Sequence, residues 1–340
     1  MSVAGGLLAG CGSTAGEGPG GGSGRTGTGG RHGVIGSSAG PSAAPGTLAS
    51  GMGSDTGTDG VFPRTVTHFE GRTTIEAASR RIAVLSTGQL DDLLSLGVVP
   101  TAATRAAGAG LVPDYLADAF PQDKRKVAAM TDAGTRTAPN LESLAAARPE
   151  LILVNGSLGD LYPKLSKIAP TVVTAGNGIN WKRDLLLVGD AVGKGRQARR
   201  MLDGITADAR QSGKALDGAA TISMLRFTPG RTRVFGVSSF TGSVAVDMGL
   251  ARPKSQQFRA ISQDTSAERI DSADGDRIFY SVQGDPAKTD AGGVLAGPLW
   301  KSMKAVRTGH AVRVDDDPWY LNAGPTAARL VVRQLAEHLR

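Results

Sequence analysis

The side chains able to do chemistry in this sequence are sparse and mostly stand alone. The four histidines, His32, His68, His310 and His338, lie far apart, and none pairs with a cysteine or carboxylate at metal-ligand spacing, so a zinc centre is not expected. Asp315, Asp316 and Asp317 form an acidic run without the alternating ligands and late Glu of a calcium loop, and they read as a solvated turn. Residues 189–195, GDAVGKG, have the outline of a phosphate loop. They are one residue short, carry Gly195 where Mg²⁺ needs Ser or Thr, and lie between helices rather than after a strand. No Cys–His pair is present, and a metal-dependent enzyme is the weakest fit.

What remains is recognition chemistry. Aromatic residues make up only 4 % of the chain, so the adjacent Trp319 and Tyr320 in a proline-containing loop stand out. Two roles fit them: a platform for a ligand, or an anchor for the helix that follows. Arg226 ends an apolar strand, where a solvated charge and an anion donor are both reasonable. The net charge of +7 comes from Lys and Arg scattered along the chain, so nucleic acid is not expected as a partner. The single cysteine, Cys11, follows Leu8-Ala9-Gly10, and LAGC resembles the lipobox at which bacterial lipoproteins receive their lipid. Residues 1–10 contain no Lys or Arg and read as part of an export signal.

The elements that must position these residues follow from periodicity. Residues 195–216 place Ala198, Met201, Leu202, Ile205 and Ala209 three or four apart, one apolar stripe on a long helix. On either side the chain carries versions of the same grammar. TGQLDDLLSLGVVP at 87–100 is matched by TGSVAVDMGLARP at 241–253, and Glu142 precedes Glu150 by eight residues as Glu268 precedes Asp276. Each second acid leads into an apolar strand. Strands are expected at 81–85, 98–101, 151–154, 171–174, 221–227, 232–235, 277–282 and 311–314. Helices are expected at 89–96, 139–147 (capped by Asn140), 160–168, 243–248, 266–272, 299–305 and 326–339.

The fold class is therefore α/β: two small doubly wound lobes joined by one long rigid helix. The expected divisions are an export segment at 1–10, a Gly/Ser-rich disordered tether at 11–62, an N-terminal lobe at 63–180, a connecting helical region at 181–216 and a C-terminal lobe at 217–340. Ligands of open α/β sheets bind beyond the carboxyl ends of strands. That rule points to 86–89, 155–158, 226–228 and 280–283, and so to Gln89, Asn155, Arg226 and Tyr280 beside Trp319 and Tyr320.

Taken together, RIAVLSTGQLDDLLSLGVVP, PNLESLAAARPELILV, LLLVGDAVGKGRQARRML, TSAERIDSADGDRIF and the segment from PLWKSM through DDDPWYLNAGPTAARL resemble the iron-siderophore solute-binding lipoproteins of ABC importers, from about Thr65 to the end. The resemblance implies two lobes on a helical backbone and a ferric siderophore in the cleft, or haem or cobalamin on the same fold. It implies a permease dimer as partner, with Glu142 and Glu268 meeting its arginines, although an acid at either site also suits a helix start. It further implies a monomer held to the outer face of the cell membrane through Cys11, with no resident cofactor or metal, since iron arrives inside the ligand. The absence of clustered arginines in the sequence favours a less charged ligand, a ferric hydroxamate.

Overall fold

Short apolar runs closed by polar turns build three sheets, a small antiparallel meander and one larger sheet in each lobe. The computed structural model describes residues 44–106, 109–216 and 220–340. Cys11, the export segment and the first part of the expected tether lie outside them.

Strands β1 (Gly53–Ser54), β2 (Arg64–His68) and β3 (Gly71–Ile75) form an antiparallel meander. The N-lobe sheet contains β4 (Ile82–Val84), β5 (Ala102–Arg105), β6 (Thr131–Thr135), β7 (Ala138–Pro139), β8 (Leu151–Asn155) and β9 (Thr171–Thr174). Their order is β7-β6-β5-β4-β8-β9, with only β7 antiparallel. The C-lobe sheet contains β10 (Ile222–Thr228), β11 (Arg231–Phe235), β12 (Ser262–Thr265), β13 (Arg277–Val282) and β14 (Ala311–Arg313), ordered β12-β11-β10-β13-β14. Pro229-Gly230 closes the β10–β11 hairpin, with Gly230 at φ +66, a left-handed conformation glycine adopts freely.

The duplicated acids do the same work in both halves. Glu150 Oε2 accepts the backbone N–H of Arg80 at 2.6 Å and of Arg81 at 3.2 Å, tying the start of β8 to the start of its neighbour β4. Asp276 Oδ2 accepts the Thr221 N–H and hydroxyl, both at 2.8 Å, tying β13 to β10.

Between the lobes, a helix at Trp181–Ala191 leads into the linking helix Gly195–Lys214, whose Ala198, Leu202, Ile205 and Ala209 are buried as their spacing predicts. One core runs from the inner faces of both sheets through these helices to the C-terminal helix Pro325–His338, while separate clusters fill the outer face of each sheet. The lobes are also tied directly. Asp91, on the N-lobe helix Thr87–Ser95, accepts the N–H groups of Thr326 and Ala327 at 3.0 Å each and so caps the C-terminal helix.

The expected tether is too long. From Ala44 to Phe62 the chain is folded: Ala44 is buried, and Leu48, Met52 and Phe62 pack against the main core. Asp59 caps the linking helix through the N–H groups of Arg196 (2.8 Å) and Gln197 (3.2 Å). The segment has too few apolar residues to signal a fold by itself, and partners distant in sequence supply the order. Smaller differences are local. The strand expected at 98–101 begins at Ala102. The helix expected at 160–168 is a 3₁₀ turn, Gly156–Leu161, followed by Tyr162–Leu165. Extended backbone at Met303 (ψ 141) splits the helix expected at 299–305 into Pro298–Ser302 and Lys304–Arg307.

Candidate functional site

In the N-lobe sheet, β4 sits between β5 and β8, and the chain runs outward from it in both directions. That is the switch point at which α/β sheets open a crevice. Ser86, Thr87, Gly88 and Gln89 follow β4, and Asn155 ends β8. All five line a cavity of about 410 Å³ between the two sheets. The C-lobe supplies Arg226 from β10, Arg233 and Phe235 from β11, and Ser239, Phe240 and Thr241 from the start of the helix Phe240–Asp247. Two helix N-termini, one from each lobe, therefore stand at the cavity, where their partial positive charge favours an anion. At the N-lobe helix the capping residue Ser86 makes no side-chain bond to the first-turn N–H groups.

Three arginines line the same space. Arg226 is gripped by Asp316, with Nε donating to Oδ1 at 2.7 Å and a terminal nitrogen to Oδ2 at 2.6 Å. Asp316 Oδ1 also accepts the Ser281 hydroxyl at 2.6 Å. The acidic run is thus partly structural and more than a solvated turn. Arg233 Nε stays 3.6 Å from Asp264 Oδ1, beyond hydrogen-bond reach. Among the described residues the Arg136 side chain, on the loop between β6 and β7, reaches only the Leu321 carbonyl, at 3.4 Å. Burial, followed by the charge of Arg226, lowers the Arg136 pKa; burial and then the charges of other arginines do the same at Arg233.

The sequence-predicted residues divide. Arg226, Gln89, Asn155 and Tyr320 line the cavity together. The Tyr320 ring lies 4.6 Å from that of Phe235, and its hydroxyl donates to the Phe279 carbonyl at 3.0 Å. Burial raises its pKa, so it stays protonated. Trp319 borders the cavity but its side chain is covered (0 % exposed). Its ring stacks on Phe279 at 5.0 Å, and its indole N–H donates to Gln334 of the C-terminal helix at 2.5 Å. Of the two roles weighed for Trp319, the structure shows the anchor. Tyr280 is not in the cavity: alternation along β13 turns it to the opposite face from Phe279, against Phe227 and Trp300. Glu142 and Glu268 are exposed in the first turns of their helices and line neither this cavity nor the next.

Arg136, Arg233, Asp92, Thr241 and Asn322 were missed. The strand-end rule does not reach them, since they sit inside helices, in the middle of an antiparallel strand or on loops. A second hollow, of about 810 Å³, adjoins the first at Leu321 and is lined by Asp114, Asp285, Asp315, Asp316 and Asp317 with Lys288 and Arg313. Burial and then Asp315 and Asp316 push the Asp317 carboxyl up to about 6. Among the described residues, no three His, Cys, Asp or Glu side chains come together as a metal site.

A family model described as periplasmic binding protein matches residues 82–318. The chain belongs to the periplasmic binding protein family. This periplasmic binding protein is similar to the "Probable siderophore-binding lipoprotein YfiY" of Bacillus subtilis, 31 % identical over 284 residues that cover 79 % of this chain and 85 % of the relative. It is also similar to the iron(3+)-hydroxamate-binding protein FhuD of the same organism, 27 % identical over 288 residues, 82 % of this chain and 87 % of the relative. Among solved structures, SirA of Staphylococcus aureus complexed with staphyloferrin B superposes with a TM-score of 0.70 at 26 % identity, covering 81 % of this chain and 98 % of that one. As in that family, two sheet-containing lobes with a helical connection form the scaffold.

Proposed function

We propose that this periplasmic binding protein captures a ferric siderophore with an anionic outer surface and delivers it to the permease dimer of an ABC importer. The observation that carries the anionic preference is the convergence of Arg136, Arg226 and Arg233 with two helix N-termini on one cavity. Guanidinium groups hold carboxylate or catecholate oxygens through charge-assisted hydrogen bonds. The siderophores named in its relatives and neighbours support iron as the cargo. The expectation of a hydroxamate rested on an absence of clustered arginines, and that premise does not hold in three dimensions. No bond is made or broken; the protein binds, carries and releases. The lipoprotein named among its relatives supports an extracytoplasmic place, with Cys11 as the anchor.

Haem and cobalamin fit less well. No His or Met side chain lines the cavity among the described residues, and the hydroxyl of Tyr320 is already committed to a carbonyl.

The test is a titration of tryptophan fluorescence, for which Trp181 in the cavity lining is the reporter. Ferric citrate, ferric staphyloferrin B, the uncharged-core hydroxamate ferrioxamine B, haem and cobalamin form the panel. Saturable quenching strongest with the anionic ferric complexes is expected. Preference for ferrioxamine B overturns the anionic class, and no quenching by any ferric complex overturns iron capture.

A further inference from the structure

Among the described residues, seven buried side-chain polar atoms lack a hydrogen-bond partner, and five of them belong to residues lining the arginine cavity. One is the donor Arg233 Nε. The other four are Gln89 Oε1, Asp92 Oδ1, Thr241 Oγ1 and Asn322 Oδ1. Their residues are each 2 % exposed or less. An unpaired buried polar atom costs on the order of 1–3 kcal/mol, and native proteins keep few of them. Four in the lining of one cavity, contributed by both lobes, mark a surface built to be completed by something else.

Their chemistry is one-sided. Gln89 spends its amide N–H on the Thr174 hydroxyl at 3.1 Å, which leaves its carbonyl oxygen without a partner. Asp92, Asn322 and Gln89 all offer acceptor oxygens, and the Thr241 hydroxyl can accept as well. Such a wall repels an oxyanion. We propose that it is a subsite for hydrogen-bond donors on the organic scaffold of the bound iron complex, namely hydroxyl, amide N–H or ammonium groups. This inference rests on the ligand reading above and adds to it. The arginines hold the anionic, iron-binding part of the ligand, and the acceptor wall reads the scaffold that distinguishes one complex from another. The Asp92 carboxyl is held well above the usual range by burial and by the nearby Asp91 and Asp184 charges. Its Oδ1 has no partner in the empty cleft, and an incoming donor supplies one.

Replacing an unpaired acceptor by an apolar group of similar shape should not destabilise the empty protein, yet it should weaken binding. Thr241→Val and Asn322→Leu are therefore compared with wild type by thermal unfolding without ligand and by fluorescence titration. The titrant is whichever of ferric citrate, ferric staphyloferrin B and ferrioxamine B binds wild type most tightly. The expected result is a melting temperature at or above wild type together with at least tenfold weaker binding in each variant. Binding within twofold of wild type overturns the subsite while leaving iron capture intact. A lowered melting temperature also overturns it, because the oxygens are then satisfied within the empty fold. A wild-type protein that binds none of the three complexes sinks both the subsite and the proposed function.

Discussion

Arg226 and Asp316, ninety positions apart, form a two-point ion pair in the wall of the cleft, at 2.7 and 2.6 Å. Their side chains are 8 % and 12 % exposed. The pair holds the guanidinium plane in one orientation before any ligand arrives and offsets part of its charge. Arg136 has no such two-point partner among the described residues and Arg233 meets Asp264 only at 3.6 Å, so both are left as the freer cations. Asp316→Ala should lower unfolding stability by about 3 kcal/mol, because it strands a poorly hydrated charge. It should also tighten binding of ferric citrate several-fold, since Arg226 is released. Urea unfolding and fluorescence titration check the two halves, and an unchanged unfolding midpoint refutes a structural role for the pair.

Two glycines of the linking helix should respond to alanine with opposite signs. A Cβ at Gly204 meets nothing within 4 Å, so Gly204→Ala should stabilise by about 0.5–1 kcal/mol through helix propensity alone. A Cβ at Gly213 would overlap the carbonyl of Met248, so Gly213→Ala should cost about 1–3 kcal/mol by forcing the helix off the C-lobe. Chemical denaturation of the two variants settles the signs. Equal effects would show that the helix end does not pack closely on Met248.

Glu142 and Glu268 occupy equivalent places in the two halves, exposed and away from the cleft. Rim charges of this kind mainly set register and association rate with a partner. The double variant Glu142→Arg with Glu268→Arg should keep siderophore affinity within about twofold while abolishing uptake by cells. Each helix start loses roughly 0.3–1 kcal/mol, too little to unfold a lobe. Normal uptake by a folded double variant rules out docking through these residues.

His68 and Asp184 pull the pH dependence of stability in opposite directions. Thr73 donates its hydroxyl proton to the Thr171 carbonyl at 2.7 Å, so it accepts the His68 Nε2–H at 2.8 Å, and Nδ1 accepts the Glu70 N–H at 3.2 Å. That network suits the neutral ring, and burial pushes the His68 pKa down to about 4. Between pH 4 and 6.5 the unfolded chain carries the proton and the native one does not, so this contribution grows as pH rises, by about 3 kcal/mol across the window, and is lost as pH falls. Burial pushes Asp184 up to about 7, against the bonds it accepts from Gly176 and Ala175. Its contribution is present below pH 3.8 and lost as pH rises to about 7. Relative to wild type, His68→Gln should lose stability more steeply as pH rises through this range, and Asp184→Asn should gain. Urea midpoints at pH 4, 5, 6 and 7 measure both slopes, and parallel profiles for all three proteins would refute the assignment.

Much of the scaffold was legible because its signals are local. The stripe from Ala198 to Ala209 is a property of one helix, and Asn140 caps its helix through the Ser143 N–H three residues on. The eight-residue spacing of Glu142 from Glu150 and of Glu268 from Asp276 survives as matching strand ties in both lobes. The order in residues 44–62 was not legible, because Asp190, Gly193 and the linking helix supply its hydrogen bonds. Period-two alternation separates Phe279 from Tyr280, but this sheet is covered on both faces, so the pattern cannot say which face borders the cleft. Nothing near Arg136 in the sequence marks it as a cleft residue, whereas Arg233 stands directly opposite Arg226 in the β10–β11 hairpin, a local register set by the Pro229-Gly230 turn. That Arg136 joins this pair depends on how the two lobes approach across the linking helix. A helix stripe or a cap is decided within a few residues, whereas the charge and the unpaired oxygens of the cleft exist only where distant loops and helix ends are packed together.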